Sequence, residues 1–278
     1  MKFFEQLQKL LTHPFNKDKK LQTLFRIFWW KINQKYFKIP AILSITKDAR
    51  LICYPESSYG SYVVYAKFPE YEEMNFINSF ITDGNIIIDV GANLADISIL
   101  SASKGENVRV FCFEPTEKLI QLINENILIN HFEKRISVFQ KAVSNINGKI
   151  HFTLEQESEI SHISIDNRLE KNSIEVESTT LDTFAEQHSI NHIDLLKVDV
   201  EGAELFVFQG AKKLLKNQKI DCILFEFNKN IPRFGYSKSE LIYYLLNKDY
   251  FVFKFDQDSK LSLVSNNFKS RVFPRIAA

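Results

Sequence analysis

The stretch Asn85–Ser98 constrains the fold of this chain more than any other. It begins with three consecutive isoleucines, passes through Asp89 and Gly91, and continues with the apolar spacing of a helix. A buried strand, a tight turn and the start of a helix account for this order of residues. Such a unit is the first half of a βαβ motif, and the turn of that motif commonly binds a nucleotide-like ligand.

Strand and helix patterns continue to alternate after this unit. Five apolar segments have the length and composition of buried strands: Ile86–Val90, Val108–Phe113, Ile136–Val143, Asp194–Val200 and Cys222–Phe227. Segments with helical spacing separate most of them, which is typical of a mainly parallel sheet with helices on both faces. Lys149–Leu154 and Ile174–Glu177 predict extra strands on either side of a polar loop. The sequence therefore predicts an α/β fold.

Residues 1–69 differ from the rest and are predicted to form an N-terminal extension of basic amphipathic helices and short strands, ahead of a main domain over residues 70–278. Residues 1–38 carry nine Lys and Arg against two acids, so this segment has a charge of +7 and the rest of the +1 chain has −6. Residues 19–37 place apolar side chains at helical spacing. These are Leu21, Leu24, Phe25, Phe28, Trp29 and Ile32. Residues 42–68 have the pattern of short strands with a turn at Pro55–Gly60.

Two interpretations of the N-terminal helices follow from their pattern. In the first, their apolar faces pack on the main domain or on a second copy of the chain. In the second, residues 1–38 make peripheral contact with an anionic membrane through Trp29, Trp30 and the lysines. Nucleic acid is not an expected partner, because the rest of the chain is acidic. The sequence leaves the oligomeric state open.

Cysteine use and hydropathy predict a cytoplasmic protein. Cys53, Cys112 and Cys222 are odd in number and far apart, and two of them lie in apolar strand-like runs. This pattern predicts buried thiols in a reducing compartment rather than disulfides or a zinc site. The chain has no run long and apolar enough to span a bilayer, and its first residues lack the apolar core of a signal peptide.

The turn of the first βαβ unit holds three residues with ligand-binding chemistry. Gly91 lets the backbone bend and approach a ligand closely, and the following helix offers its N-terminus to an anion. Asn93 stands where a dinucleotide-binding turn has its second glycine, so the turn suits a ligand with an amino acid carboxylate better than a pyrophosphate. Asp89, at the end of the strand, can bind the ammonium group of the same ligand.

The ends of the second and third strands add candidate ligand contacts. Glu114 follows the second strand, where a carboxylate can accept hydrogen bonds from both hydroxyls of a ribose. It lies 23 residues after Gly91, close to the roughly 20 residues of dinucleotide-binding folds. Ala142 and Val143 end the third strand, where small apolar residues either border an adenine ring or belong to the core.

The fourth strand ends in two acids, Asp199 and Glu201, followed by a glycine. Because ligands bind beyond the carboxyl ends of strands in open α/β sheets, we expect Asp89, Glu114, Asp199 and Glu201 to converge on one rim. Carboxylate oxygens are suitable ligands for Mg²⁺ or Ca²⁺, so a divalent metal at this rim stays open. Capping of the following helix is the alternative role for Asp199 and Glu201.

Four segments in this order resemble the signature of the FkbM family of S-adenosylmethionine (SAM)-dependent methyltransferases. They are Asp89-Val-Gly-Ala-Asn93, Phe113-Glu-Pro115, Thr180-Leu-Asp182 and Leu196-Lys-Val-Asp-Val-Glu-Gly-Ala-Glu204. The resemblance covers roughly residues 70–228. One position departs from it: Ala95 stands where the family usually has a second glycine. A methyl group there is expected to crowd the methionyl end of SAM or to shift the start of the helix.

The resemblance implies a Rossmann-like class I methyltransferase fold with a mainly parallel seven-stranded sheet, SAM as the cofactor, and methylation of a hydroxyl on a sugar or glycan-type surface polysaccharide precursor. The candidate cofactor contacts are Asp89, Gly91, Asn93, Ala95, Ser98, Glu114, Pro115, Ala142, Val143 and Asp199. An alcohol acceptor benefits from a general base, for which Asp199 is the first candidate and Glu201 the second. His162, in the polar loop Ser158–Asn167 that can close over an acceptor, is the third.

Two other functions are compatible with the same residues. A nicotinamide-dependent oxidoreductase would share the fold class, although Asn93 replaces the middle glycine and a Tyr-x-x-x-Lys dyad near the fourth strand is lacking. A non-catalytic binding or scaffold protein with a degenerate cofactor site would account for Ala95 and for the basic N-terminal helices.

Overall fold

The structure is a computed structural model of the 278-residue chain. It describes residues 2–154, 161–163, 173–227, 229–255, 260–264 and 276–277. Side chains are described within these ranges except at residues 2–4, 152–154, 161–163, 173 and 276–277. Among the helices within these ranges, none combines the length and the hydropathy that crossing a bilayer requires.

Helices and strands follow one another along the described chain. The α-helices are α1 (Lys2–Thr12), α2 (Lys20–Ile32), α3 (Ser58–Ala66), α4 (Tyr71–Phe80), α5 (Asp96–Ala102), α6 (Glu117–Asn130), α7 (Leu181–Gln187), α8 (Glu204–Gly210), α9 (Lys212–Lys216) and α10 (Lys238–Leu246). A π-helical turn covers Asn33–Phe37, and a 3₁₀ turn covers Ile231–Phe234. The strands are β1 (Ala41–Ser44), β2 (Arg50–Cys53), β3 (Ile86–Val90), β4 (Arg109–Phe113), β5 (Ile136–Phe139), β6 (Ala142–Val143), β7 (Gly148–Leu154), β8 (Ser161–Ile163), β9 (Ser173–Thr179), β10 (Ile193–Val198), β11 (Ile220–Phe225), β12 (Phe251–Phe255), β13 (Leu261–Leu263) and β14 (Ile276–Ala277).

The main sheet has the strand order β13-β12-β14-β11-β10-β3-β4-β5. Its five central strands, from β11 to β5, pair in parallel. Along the chain, β4 and β5 are added on one side of β3, whereas β10 and β11 are added on the other. The strand order therefore reverses between β3 and β10. In open α/β sheets such a reversal leaves a crevice beyond the carboxyl ends of the two strands.

The α/β architecture agrees with the expectation from the sequence, and the sheet has one strand more than the seven expected. The additional strand is β14, which pairs in parallel with both β11 and β12. Two residues are too few for a periodic pattern to be recognised in a sequence.

Alternate side chains of the central strands enter two separate cores, because successive residues of a strand point to opposite faces. Ile88 belongs to the core under α7, α8 and α10, and Ile87 to the core under α3, α4 and α5.

The expected third strand, Ile136–Val143, is divided between two sheets. Its first part is β5, and its last two residues form β6, which pairs with β9 in a second sheet of order β6-β9-β7-β8. The expected extra strands are β7 and β9, which pair antiparallel. Phe139 ends β5 by stacking on Phe113 at 5.2 Å and meeting Phe184 edge-on at 4.9 Å between ring centroids. This aromatic packing fixes the point at which the chain leaves the main sheet.

The N-terminal part contains a hairpin of short strands, as the sequence pattern predicted, and a helix that the pattern did not indicate. β1 and β2 form the hairpin, which is held to α6 by the backbone N–H of Ile52, a donor to Asn126 Oδ1 at 2.7 Å. The expected strand pattern over residues 42–68 is wrong at residues 58–66, which form α3. Ser57 marks the start of this helix, because its Oγ accepts a hydrogen bond from Gly60 N and so caps it.

Helix α2 packs on α3 through a face that its apolar pattern does not indicate. Trp30 Nε1 donates to Ser61 Oγ at 2.9 Å, and the Arg26 guanidinium donates to the carbonyl of Tyr65 at 2.6 Å. Thr23 is buried on the same face. Of the six apolar side chains expected to pack inward, Ile32 is half-buried and five are exposed: Leu21, Leu24, Phe25, Phe28 and Trp29. The inner face combines these hydrogen bonds with apolar contacts of Trp30 and Ile27. The prediction that the apolar stripe packs on the main domain is therefore wrong, and Trp30 is buried and not available to a membrane.

Candidate cofactor-binding and active site

A cleft opens where the strand order reverses. Residues beyond the carboxyl ends of β3, β4 and β10 line it together with the start of β6. They are Val90, Gly91, Asn93, Phe113, Glu114, Pro115, Thr116, Leu119, Lys141, Ala142, Val143, Asp199, Val200 and Glu201. The cleft therefore lies where the sequence predicted a ligand.

Gly91 is required by the close approach of two turns. Its φ is +79°, and a Cβ on it would lie 1.9 Å from the carbonyl oxygen of Asp199. The backbone N–H groups of Gly91 and Ala92 both donate to the carbonyl of Phe113, at 3.0 and 3.1 Å. The turns after β3, β4 and β10 are thus joined through the backbone of one glycine.

Glu114 connects the turn after β4 to the turn after β3. Its Oε1 accepts a hydrogen bond from Thr116 N at 3.0 Å, and its Oε2 accepts one from Asn93 N at 3.3 Å. The side chain is buried, and this burial raises the pKa of Glu114 to about 7 although both hydrogen bonds favour the carboxylate. The position at the edge of the cleft suits a carboxylate that accepts from ligand hydroxyls.

Seven of the residues predicted to contact the cofactor line the cleft: Gly91, Asn93, Glu114, Pro115, Ala142, Val143 and Asp199. Asp89 and Ser98 lie beneath it instead, where Ser98 Oγ donates to Asp89 Oδ2 at 2.6 Å. Val90, rather than Asp89, takes the position on the cleft, because alternate strand residues point to opposite faces. Burial raises the pKa of Asp89, an effect that the nearby Lys197 opposes.

Ala95 lies in the core and does not line the cleft. It is fully buried among the apolar side chains beneath α3, α4 and α5. Its φ is +60°, a left-handed conformation that glycine adopts without steric cost and alanine does not. The departure from the family's glycine therefore strains the backbone at the start of α5 and leaves the cleft free of the methyl group.

A buried lysine beneath the cleft forms an ion pair with Asp199. Lys197 Nζ lies 3.3 Å from Asp199 Oδ2 and 3.8 Å from Glu73 Oε2, and the Lys197 side chain is 4 % exposed. Burial alone would lower the pKa of Lys197, but the carboxylates of Asp199, Glu73 and Glu70 raise it well above its usual value. Lys197 is therefore a cation beneath the cleft.

Two further carboxyl groups adjoin this ion pair. Burial raises the pKa of Glu73 to about 8, with Lys197 lowering it and Glu70 raising it further. Burial also raises the pKa of Asp96 to about 7, helped by Glu70 and opposed by the Tyr59 hydroxyl, which donates to Asp96 Oδ2 at 2.7 Å. The acids at the start of α4 can be explained from the sequence by the helix dipole alone. Their spatial neighbours are not visible in the sequence.

Glu201 lines the cleft in a strained conformation. Its φ is +55°, which is unfavourable for a residue other than glycine, and such strain often accompanies functional sites. Neither Asp199 nor Glu201 occupies the capping position of the following helix. Helix α8 begins at Glu204 with Ala203 at its N-cap, and the described structure gives this position no side-chain cap bond.

The third candidate base stays a prediction. His162 lies in β8, opposite Thr153, but its side chain is outside the described residues. The remainder of the loop Ser158–Asn167 is also outside them, apart from residues 161–163.

The expected acidic rim does not form a metal-ligand set in the described part of the chain. There, the set with suitable spacing is His192, Asp194 and Asp221. It lies at the amino ends of β10 and β11, and therefore at the opposite end of the sheet from the cleft. A divalent metal at the cleft stays a prediction.

Two buried polar atoms at the cleft indicate a polar ligand. Asn93 Oδ1 and Asp199 Oδ1 have no hydrogen-bond partner among the described residues, although buried polar atoms normally have one. Together with Glu114 for ribose hydroxyls and the small apolar residues of β6 for a purine ring, these atoms fit SAM. Sequence reasoning did not include Thr116, because its pattern indicates an N-cap of α6, a role in which its side chain makes no hydrogen bond.

Comparison with known proteins identifies the family. The Methyltransferase FkbM domain matches residues 89–252. The 2-O-methyltransferase NoeI of Sinorhizobium fredii is 28% identical over 145 residues, which cover 47% of this chain and 58% of that protein. Methyltransferase sdnD of Sordaria araneosa is 24% identical over 154 residues, which cover 45% of this chain and 60% of that protein. The matches thus span less than two thirds of either relative.

A crystal structure of methyltransferase FkbM from Methylobacillus flagellatus shares 16% identity, with a TM-score of 0.34, over 59% of this chain and 44% of that chain. The family match alone covers more than half of the present sequence and includes the turn after β3, the acid after β4 and the acids after β10. The chain therefore belongs to the FkbM methyltransferase family, and SAM is the cofactor that this membership implies.

Proposed function

We propose that the protein is a SAM-dependent O-methyltransferase that methylates a hydroxyl of a sugar or a glycan-type surface polysaccharide precursor. The observation that carries this proposal is the state of Asp199. One of its oxygens is paired with Lys197, and the other is buried at the cleft without a partner among the described residues. A carboxylate held in this way is suited to accept a proton from an acceptor hydroxyl. The name of the relative NoeI, a 2-O-methyltransferase, supports transfer to oxygen.

In this proposal the residues of the cleft divide between cofactor and acceptor. Glu114 accepts from the ribose hydroxyls, Asn93 and Gly91 contact the methionyl end, and Pro115, Ala142 and Val143 border the adenine. When bound, SAM supplies an electrophilic methyl group on a sulfonium. Asp199 orients the acceptor hydroxyl for in-line attack on that methyl group and takes the hydroxyl proton as the new C–O bond forms and the methyl–sulfur bond breaks, which leaves S-adenosylhomocysteine. Lys197 pairs with the carboxylate of Asp199 from beneath the cleft. Glu201 is the second candidate for this role.

Separate substitutions of the two candidate bases, Asp199 and Glu201, distinguish their roles. We expect Asp199→Asn to lower methyl transfer about 100-fold or more, because general-base catalysis commonly contributes that much. Binding of S-adenosylhomocysteine (SAH) should change only a few-fold, since the amide keeps the shape of the side chain. Glu201→Gln is the matched variant, and it should retain most of the activity. The measurement is transfer of labelled methyl from SAM to a panel of glycans, with calorimetric SAH binding on each variant; the reverse order of effects would assign the base to Glu201.

The pKa of Glu114 predicts a pH-dependent affinity for SAH. Ribose hydroxyls donate to the carboxylate better than to the protonated acid, so affinity should rise from about pH 6 to about pH 8, around the pKa of about 7. By linkage, binding near pH 6 should release a proton. Calorimetry in buffers of different ionisation enthalpy measures this release. Glu114→Gln should bind SAH more weakly and release no proton, and an unchanged release in that variant would exclude Glu114 as its source.

Ligand-dependent stabilisation tests the proposal against its two rivals. A ligand that binds only the folded state raises the melting temperature. SAM and SAH should stabilise the protein and NAD(H) should not. Stabilisation by NAD(H) alone would favour an oxidoreductase, and a folded protein stabilised by neither class would favour the scaffold function.

We further propose that the protein acts in the cytoplasm, next to the inner face of the membrane. Cys53, Cys112 and Cys222 are all free and buried, which supports a reducing compartment. The exposed face of the N-terminal helices supports the nearby membrane, where a glycan precursor would be assembled on a lipid carrier.

A further inference from the structure

The largest concentration of exposed apolar side chains lies on the N-terminal extension. Nine of the sixteen large hydrophobic residues that are exposed in the described structure occur between residues 21 and 42. They are Leu21, Leu24, Phe25, Phe28, Trp29, Tyr36, Phe37, Ile39 and Ile42. We call these nine residues the α2 surface. Contiguous apolar patches of this kind on a folded chain usually mark a contact with a protein or a membrane.

The orientation of α2 is what exposes this surface. Trp30 and Arg26 hold the helix against α3 by hydrogen bonds to Ser61 and to the carbonyl of Tyr65. The stripe of residues 21, 24, 25 and 28 then faces outward along the helix. An apolar groove beside it is lined by Phe25, Trp29, Phe37, Ile39 and Pro40, among others. The apolar face is therefore fixed in position by the fold.

Positive charge surrounds the α2 surface. The sequence has no acid between Asp18 and Asp48. Within that interval Lys19, Lys20, Lys31, Lys35 and Lys38 are exposed, and none of the five forms an ion pair with a described residue. Apolar aromatic residues bordered by unpaired lysines are the composition of helices that lie in the headgroup region of a bilayer.

We propose that the α2 surface docks on an anionic lipid bilayer. The apolar stripe enters the boundary between headgroups and acyl chains, Trp29 and Tyr36 occupy the interfacial layer, and the lysines contact anionic headgroups. The surface shares no lining residue with the cofactor cleft, so this inference stands or fails independently of methyl transfer.

The positive charge around the α2 surface favours an anionic bilayer over a second copy of the chain as its partner. A two-fold symmetric dimer through the α2 surface would bring the same patch of both copies together. The lysines around the patch would then face lysines, which opposes association at moderate ionic strength. An anionic bilayer offers the opposite charge together with an apolar interior, so it matches both properties of the surface.

Vesicle co-sedimentation of the full chain tests the proposal. We expect the protein to pellet with vesicles of phosphatidylcholine mixed with phosphatidylglycerol, and to pellet much less with phosphatidylcholine alone. Added salt should weaken binding. Phe25→Ser/Phe28→Ser/Trp29→Ser should lower the partition coefficient about tenfold or more, because it removes the apolar contribution. Replacing Lys20, Lys31 and Lys35 with Gln should lower it about fivefold per lysine.

Matched variants separate docking from general effects on the surface. The control for the apolar variant is Leu128→Ser/Ile146→Ser/Tyr243→Ser, because these side chains are 51–62 % exposed and those of the tested residues are 52–64 % exposed. The control for the charge variant replaces Lys118, Lys212 and Lys216 with Gln. Both controls should bind vesicles as the wild type does. Equal losses in tests and controls would overturn the proposal. So would absence of vesicle binding together with a dimer, seen by analytical ultracentrifugation, that the Phe25/Phe28/Trp29 variant abolishes.

Discussion

Replacing Gly91 with alanine is expected to destabilise the protein by about 3 kcal/mol or more and to abolish SAH binding. The Cβ would lie 1.9 Å from the carbonyl oxygen of Asp199, and backbone atoms cannot give way as a flexible side chain can. The φ of +79° adds the cost of a left-handed alanine. Urea unfolding measures the loss of stability, and calorimetry measures SAH binding.

Gly84→Ala is the matched control for this experiment. Gly84 has a φ of +86°, but a Cβ on it would have no neighbour within 4 Å in the described structure. It therefore reports the backbone cost alone, which is about 1–2 kcal/mol. If the two variants were equally destabilised, the contact between Gly91 and Asp199 would carry none of the effect, and the close approach of the two turns would be disproved.

Replacing Lys197 with methionine is the second change with a large expected effect. Removing one partner of a buried ion pair typically costs about 3–5 kcal/mol, because it leaves an uncompensated charge. Asp199 and Glu73 would then lie close together without their cation. Methyl transfer should fall at least as far as in Asp199→Asn, because Asp199 would lose the cation that pairs with its carboxylate. Unfolding free energies and the labelled-methyl assay measure the two effects.

The loss of unfolding free energy caused by Lys197→Met should increase with pH. Lys197 lowers the pKa of Glu73, which is already about 8, so removing the lysine raises that pKa further above its value in the unfolded state. The folded variant then binds more protons than the unfolded chain and loses stability as pH rises through the raised pKa. Glu73→Gln in the Lys197→Met background should recover part of the loss. Lys149→Met, which breaks the exposed Lys149–Glu175 pair, is the control and should change stability little. A cost independent of pH would exclude the proposed charge imbalance.

The sequence predicted the central architecture because apolar periodicity and strand ends are local properties. The strand–turn–helix unit at Asp89, the acid after β4 and the acids after β10 could be placed from spacing alone, and Glu114, Asp199 and Glu201 do line one cleft. Spacing alone could not distinguish Asp89 from these three acids. Only the structure shows that Asp89, next to Lys197 on β10, points beneath the cleft, whereas Val90 lines it.

What the sequence could not predict depends on contacts between distant segments. Glu73 has a sufficient local explanation in the dipole of α4, and only the fold brings it to Lys197. The outward rotation of α2 has the same origin. Its apolar stripe favours burial, but Trp30 and Arg26 find hydrogen-bond partners on α3 and fix the opposite face inward. Residues 58–66 have a β-like composition, but they form a helix that Ser57 caps and that is largely buried against other segments.

The backbone contact between Gly91 and the carbonyl of Asp199 has an evolutionary consequence. Two segments that are far apart in the sequence share one atomic contact, so neither turn can change its path without a compensating change in the other. In an alignment of relatives, residues 91–95 and 199–202 should therefore vary together and be inherited as one unit. A relative with a side chain at position 91 should also carry an altered segment after β10, and both changes should be sought before such a relative is assigned a working cofactor site.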